Sequence, residues 1–155
     1  MSVVGTGADE FMFANLGIGM LLLILTTFVH AVAMTFARDM VKSHAGRLRQ
    51  QLRTFPLYHV LGIILLMFVA LFLEVCLWAL TYLLLGAIEG LERALYFSMV
   101  TFTTLGYGDV VLPAKWSLLS AIEAANGIIM FGWTTAIVIA VVQRVYFSET
   151  LAGQS

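Results

Sequence analysis

The chain has 155 residues, of which 61% are hydrophobic and 11% charged, and 8 Lys and Arg against 9 Asp and Glu leave a net charge of −1. A soluble domain usually holds about 45–50% apolar and about 25% charged residues, so this composition excludes an ordinary soluble core and puts the bilayer first. The balance of charge offers no basic footprint for nucleic acid, and Cys76, the sole cysteine, excludes an intrachain disulfide.

In chain order, a short tail over 1–12 carries Asp9 and Glu10 and leads into an apolar run over 11–37. About 20 helical residues cross an apolar core about 30 Å thick, so the run predicts a membrane helix over 13–37. "LLLILTTFVHAVA" resembles the apolar region of a signal peptide, but the residues before it hold acids and no Lys or Arg, so an uncleaved helix is expected. His30 lies deep in it, suited either to bonding a nearby threonine or carbonyl or to proton sensing with Glu74 as partner. The segment 38–56 is basic, with Arg38, Lys42, Arg47, Arg49 and Arg53 against Asp39. Val41, Leu48, Leu52 and Phe55 recur there at near-helical spacing, which fits an interfacial helix ending before Pro56 or a solvated connector.

A second spanning helix is predicted over 57–86, with Glu74 near its middle as inter-helix glue. Within 87–115, the run "LERALYFSMVTF" over 91–102 is too short to span and predicts a re-entrant half-length helix. "TTLGYGDVV" follows from Thr103, and a third spanning helix is predicted over 116–146. That helix carries Glu123 and Asn126 on one face, placed either to back the turn after the short helix or to bond other helices. Gly127 and Gly132 in it suit a hinge or close packing. The basic segment 38–56 belongs inside by the positive-inside rule. The N-terminus is then outside, 87–115 hangs on the outer side, and Arg144 with the tail 147–155 returns to the cytoplasm.

Bare backbone at membrane depth is tolerated where it lines a watery path. Thr104-Leu105-Gly106-Tyr107-Gly108 suits that, because glycines reach backbone angles that align successive carbonyls toward a dehydrated cation. Here "TTLGYGD" resembles the selectivity-filter signature of potassium channels, with Leu105 where valine or isoleucine is commoner. "ALYFSMVTFTTLGYGD" resembles the pore helix and filter of bacterial two-helix channels and of two-pore-domain channels. Residues from Leu57 resemble their outer helix and those from Trp116 their inner helix. The resemblance covers roughly 57–146.

It implies an all-α membrane protein: three transmembrane helices plus a re-entrant pore helix and filter loop, in a fourfold homotetramer, because such filters need four loops. It further implies potassium sites on the carbonyls of Thr104, Leu105, Gly106 and Tyr107 with the Thr104 hydroxyl, and a turn at Gly108. Support would come from Thr103, Asp109, Tyr96, Phe97 and Val100, with Tyr96 and Phe97 in place of the usual tryptophan pair. The implied activity is passive potassium conduction in a bacterial plasma membrane, with potassium and membrane lipids as partners and no cofactor.

Val100 stands where the best-known bacterial channel has a glutamate, and Phe97 has no N–H to offer, so Asp109 is expected to lack those partners. The first helix has no arginine row and so is no voltage sensor. The tail is too short for a ligand-binding domain of usual size. His30, His44 and His59 form no metal constellation with Cys76. No nucleophile–base pair or phosphate loop supports an enzyme. A weakly selective monovalent cation pore and a non-conducting subunit of the same fold are the competing expectations.

Overall fold

The computed structural model describes the backbone over residues 5–48 and 57–146 and the side chains over 9–40 and 60–143. Residues 1–4, 49–56 and 147–155 lie outside the described residues, and with them the expected tail and the Leu52 and Phe55 positions. The side chains of Val41, Leu48, His44, His59 and Arg144 also lie outside.

Four α-helices follow one another: α1 Gly5–Leu48, α2 Leu57–Leu84, α3 Leu91–Phe102 and α4 Ser117–Tyr146, with a 3₁₀ turn Ala114–Trp116 leading into α4. Three stretches, Asp9–Met40, Val60–Leu84 and Ala114–Gln143, are long and apolar enough to cross a membrane. The 12 residues of α3 reach only about 18 Å at 1.5 Å per residue, half a bilayer core. The architecture is all-α.

The first helix is longer than its apolar run. It continues into the basic segment as far as Leu48, 44 residues in all and roughly 66 Å. The physical reason is local: no proline interrupts the chain before Pro56, and charge alone does not end a backbone ladder.

One stripe of α1 is buried, at Asn15, Gly19, Leu22, Thr26, His30, Ala33 and Ala37. Steps of three and four residues put these on one face. The opposite face exposes Phe13, Met20, Ile24, Phe28 and Phe36, as expected for lipid or a neighbouring subunit. At one end of the bundle Ala33, Ala37 and Ala70 pack with Ile63 and Met67, small residues letting α1 and α2 approach closely. Toward the other end Trp78, Tyr82, Phe97, Phe102, Leu119 and Met130 form the larger cluster. There α3 is wedged between α2 and α4, and α1 lies against α2 and α4.

Candidate functional site

The short helix α3 begins after Gly90, whose φ of 87° suits the tight entry. Ala94, Phe97, Ser98 and Phe102 are its buried face. Its last carbonyls are taken up by the chain that follows. The Thr103 N–H bonds Met99 O at 3.1 Å, Thr104 N–H bonds Thr101 O at 2.9 Å, and Leu105 and Gly106 N–H both bond Val100 O, at 3.0 and 3.2 Å. The Thr103 hydroxyl adds a bond to Met99 O at 2.8 Å. The turn therefore grows out of the helix end with its donors facing back.

Beyond that anchor the backbone alternates. Thr104, Gly106 and Gly108 have φ of 60°, 56° and 77°, and Leu105 and Tyr107 between them do not enter the left-handed region. Thr104 is the sole non-glycine with positive φ among the described residues. Left-handed φ costs an L-residue roughly 1–2 kcal/mol, so the conformation is imposed by its surroundings rather than by threonine's preference. Among the described residues, no group donates a hydrogen bond to the carbonyls of Thr104, Leu105, Gly106 or Tyr107. The side chains of Leu105 and Tyr107 stand exposed on the single chain, 54% and 67%. A cavity of about 460 Å³ lies between this turn and the start of α4, bordered by Tyr96, Val100, Thr104, Asp109 and Ser120.

Asp109 does have a partner. The Tyr96 hydroxyl donates to Asp109 Oδ2 at 2.6 Å. That bond, with help from the N–H groups of Asp109 and Val110, holds the Asp109 carboxyl below its usual range, and donating to it pushes the Tyr96 phenol up. The expectation concerned only positions 97 and 100, where phenylalanine and valine have no polar group to offer Asp109. Phe97 instead turns inward, edge-on to Tyr82 with ring centroids 5.2 Å apart.

Behind α3 sits Glu123, fully buried. Tyr82 of α2 donates to its Oε2 at 2.6 Å, and Ser98 of α3 lies within hydrogen-bond distance of its Oε1. Ser98 Oγ also donates to the carbonyl of Val75 at 2.9 Å. So Glu123 does reach the short helix. Asn126, on the same helix face, goes elsewhere: its Nδ2 donates to Thr26 Oγ1 of α1 at 3.0 Å. Gly127 packs so tightly on α3 that a Cβ there would collide with the Phe102 carbonyl. Gly132 faces open space, and α4 runs through both glycines without interruption.

The remaining polar groups join α1 to the rest. Glu74 meets His30 at 2.8 Å between Oε1 and Nδ1, and His30 Nε2 lies 3.3 Å from Thr134 Oγ1. Asn15 Nδ2 donates to Phe11 O at 2.6 Å and to Lys115 O at 2.7 Å. Sequence reasoning missed Tyr82, Ser98, Thr26 and Asn15. The helical spacing of Asn15, Thr26 and His30 would have signalled the last two. Among the described residues, no group of three His, Cys, Asp or Glu is placed to hold a metal ion.

No curated protein and no solved structure matches the chain. A family match does exist, and it runs from the middle of α2 through α3 and the turn to the end of α4, the elements that carry the site. Residues 68–144, just under half the chain, match the family described as an ion channel.

Proposed function

We propose that this ion channel protein conducts potassium selectively and passively, as a homotetramer whose filter is the backbone of Thr104 to Tyr107. The observation that carries the reading is the alternation of left-handed φ at Thr104, Gly106 and Gly108. Alternating the sign of φ turns successive peptide planes so that their carbonyls can face one side. A row of such carbonyls replaces the water shell of a dehydrated cation. The absence of hydrogen-bond donors on those oxygens, among the described residues, supports the same reading.

Four copies around one axis would close the ring. The exposed Leu105 and Tyr107 side chains would then find cover on neighbours, with the cavity beside Tyr96 and Ser120 as the space available. Thr104 would add its hydroxyl at the inner end of the row, and the C-terminal end of α3, partially negative, would favour a cation below it. The excess of Arg and Lys over 38–53 supports a cytoplasmic placement of that segment, with the N-terminus and the filter mouth outside, in a plasma membrane. Gly108 and Thr103 would shape the ends of the filter, and Val100 and Asp109 would support it.

The test is ion flux through purified protein in liposomes. Uptake of rubidium or potassium, blocked by barium and nearly absent for sodium, is the expected result. Equal sodium uptake would overturn selectivity and favour a weakly selective cation pore. Silence with every ion, in protein shown to be folded and tetrameric, would favour a non-conducting subunit.

A further inference from the structure

Four groups form one chain of oxygens behind α3: the Tyr82 hydroxyl, the Glu123 carboxyl, the Ser98 hydroxyl and the Val75 carbonyl. It contains three close oxygen–oxygen contacts, Tyr82 to Glu123, Glu123 to Ser98 and Ser98 to Val75, and each needs a proton between its oxygens. The protons can be counted. A peptide carbonyl has none, so the 2.9 Å contact with Val75 O uses the single proton of Ser98. Tyr82 supplies the proton of its own 2.6 Å contact. The contact between Ser98 and Glu123 then has lone pairs on the serine side and must take its proton from Glu123.

Burial points the same way. Glu123 is 0% exposed, and no Lys, Arg or His among the described residues forms an ion pair with it. An ionised carboxylate buried without a counter-charge is strongly disfavoured, whereas a hydrogen-bonded acid is not. The contrast with Glu74 is direct, because that carboxyl faces His30 at 2.8 Å.

We infer that Glu123 is held as a neutral carboxylic acid that donates its proton to Ser98 and so positions α3 between α2 and α4. Its proton completes a closed loop of bonds: α2 through Tyr82 to α4, α4 through Glu123 to α3, α3 through Ser98 back to α2. Ser98 lies one turn before Phe102, whose carbonyl rests on Gly127, and two residues before Val100, whose carbonyl anchors Leu105 and Gly106. Glu123 is thus a positioning residue. Its protonation stands on the geometry alone; its effect on ion selection rests on the filter reading proposed above.

The experiment compares the purified full-length protein with Glu123→Gln, Glu123→Ala and Ser98→Ala. The infrared spectrum of the parent at neutral pH should contain a protonated-carboxyl band that vanishes in Glu123→Gln and moves to higher frequency in Ser98→Ala. A parent-minus-Glu123→Gln spectrum with carboxylate bands alone would overturn the inference. In liposomes Glu123→Gln should keep the rubidium-over-sodium ratio within about twofold, because an amide donates to Ser98 and accepts from Tyr82 as the acid does. Glu123→Ala, which leaves the Tyr82 hydroxyl without its acceptor and the Ser98 oxygen without its donor, should lower that ratio on the order of tenfold. Equal loss in both variants would overturn the positioning role. Should the parent itself show no selective flux, the filter reading fails, while the infrared band still decides the state of Glu123.

Discussion

The turn after α3 and the polar seam between the long helices are opposite solutions to placing polar groups in a membrane. In the seam, Asn126 meets Thr26, Glu123 meets Tyr82 and Ser98, and His30 meets Glu74, all within one chain. In the turn, the carbonyls of Thr104 to Tyr107 have no donor among the described residues, and two of its large side chains stand in the open. Buried polar groups are ordinarily paired, as they are at these contacts of the seam, whereas the turn leaves its carbonyls exposed. The seam pairs these groups within the chain, while Asn15 Oδ1 and Glu74 Oε2 have no partner among the described residues. The turn is finished only by ions and neighbouring copies, under the function proposed here.

The sharpest way to break that contrast is Gly106→Ala. Gly106 has φ of 56° and open space around a would-be Cβ, so the substitution adds backbone strain and no clash. At roughly 1–2 kcal/mol in each of four copies, the left-handed φ should be abandoned and the carbonyl row lost. Selective rubidium uptake should disappear while the melting temperature of the protein barely moves. Unchanged selective uptake would sink the assignment of the filter. Next in size is Gly127→Ala. Here the added carbon meets the Phe102 carbonyl, which belongs to backbone and cannot swing aside. Overpacking of this kind costs about 1–3 kcal/mol. Gly132→Ala, facing open space, should stay within about 0.5 kcal/mol of the parent. Thermal unfolding in detergent measures both, and equal effects would show that α4 does not approach α3 as described.

A smaller effect belongs to the seam. Thr26→Val keeps the shape of the side chain and removes the acceptor for Asn126 Nδ2, leaving a buried donor unpaired. The expected loss is about 1–2 kcal/mol, read by thermal unfolding. Pairing the change with Asn126→Leu should recover part of it, because an apolar pair needs no partner. Additive losses in the double variant would show that the two side chains do not interact.

The two regions also differed in how far the sequence revealed them. Three apolar runs announced the spanning helices, because length and hydropathy alone decide that question in a membrane. The half-length of α3 and the glycine spacing after it were visible for the same reason: both are properties of consecutive residues. The reach of α1 was less visible, since the arginines from Arg38 onward suggested an end that the backbone does not observe. Partnerships across helices were hidden. Whether Glu123 meets Ser98, or Asn126 meets Thr26, depends on how each helix is rotated about its axis, and apolar faces on all sides leave that rotation unmarked. Glu123 and Asn126 share a face by spacing, yet one reaches α3 and the other α1, because α4 lies between them.

The smallest predicted effect concerns the rim of the turn, where Val100 and Phe97 have nothing to offer Asp109 and Tyr96 donates to it. Asp109 is exposed to solvent, so the bond acts mainly through titration. The tyrosine hydroxyl lowers the carboxyl below its ordinary value of 3.8. A carboxyl depressed in the folded state adds stability above its unfolded value and loses it as pH falls through the folded one. Tyr96→Phe removes the largest cause of the depression. The titration midpoint of Asp109, followed by the chemical shift of its carboxyl carbon, should therefore rise toward the ordinary value. Any acid-induced fall in rubidium flux that depends on this bond should begin at a higher pH in the variant. An unshifted midpoint would mean that the hydroxyl does not bond the carboxylate, and that the exposed rim, unlike the seam behind it, takes its order from the assembled ring.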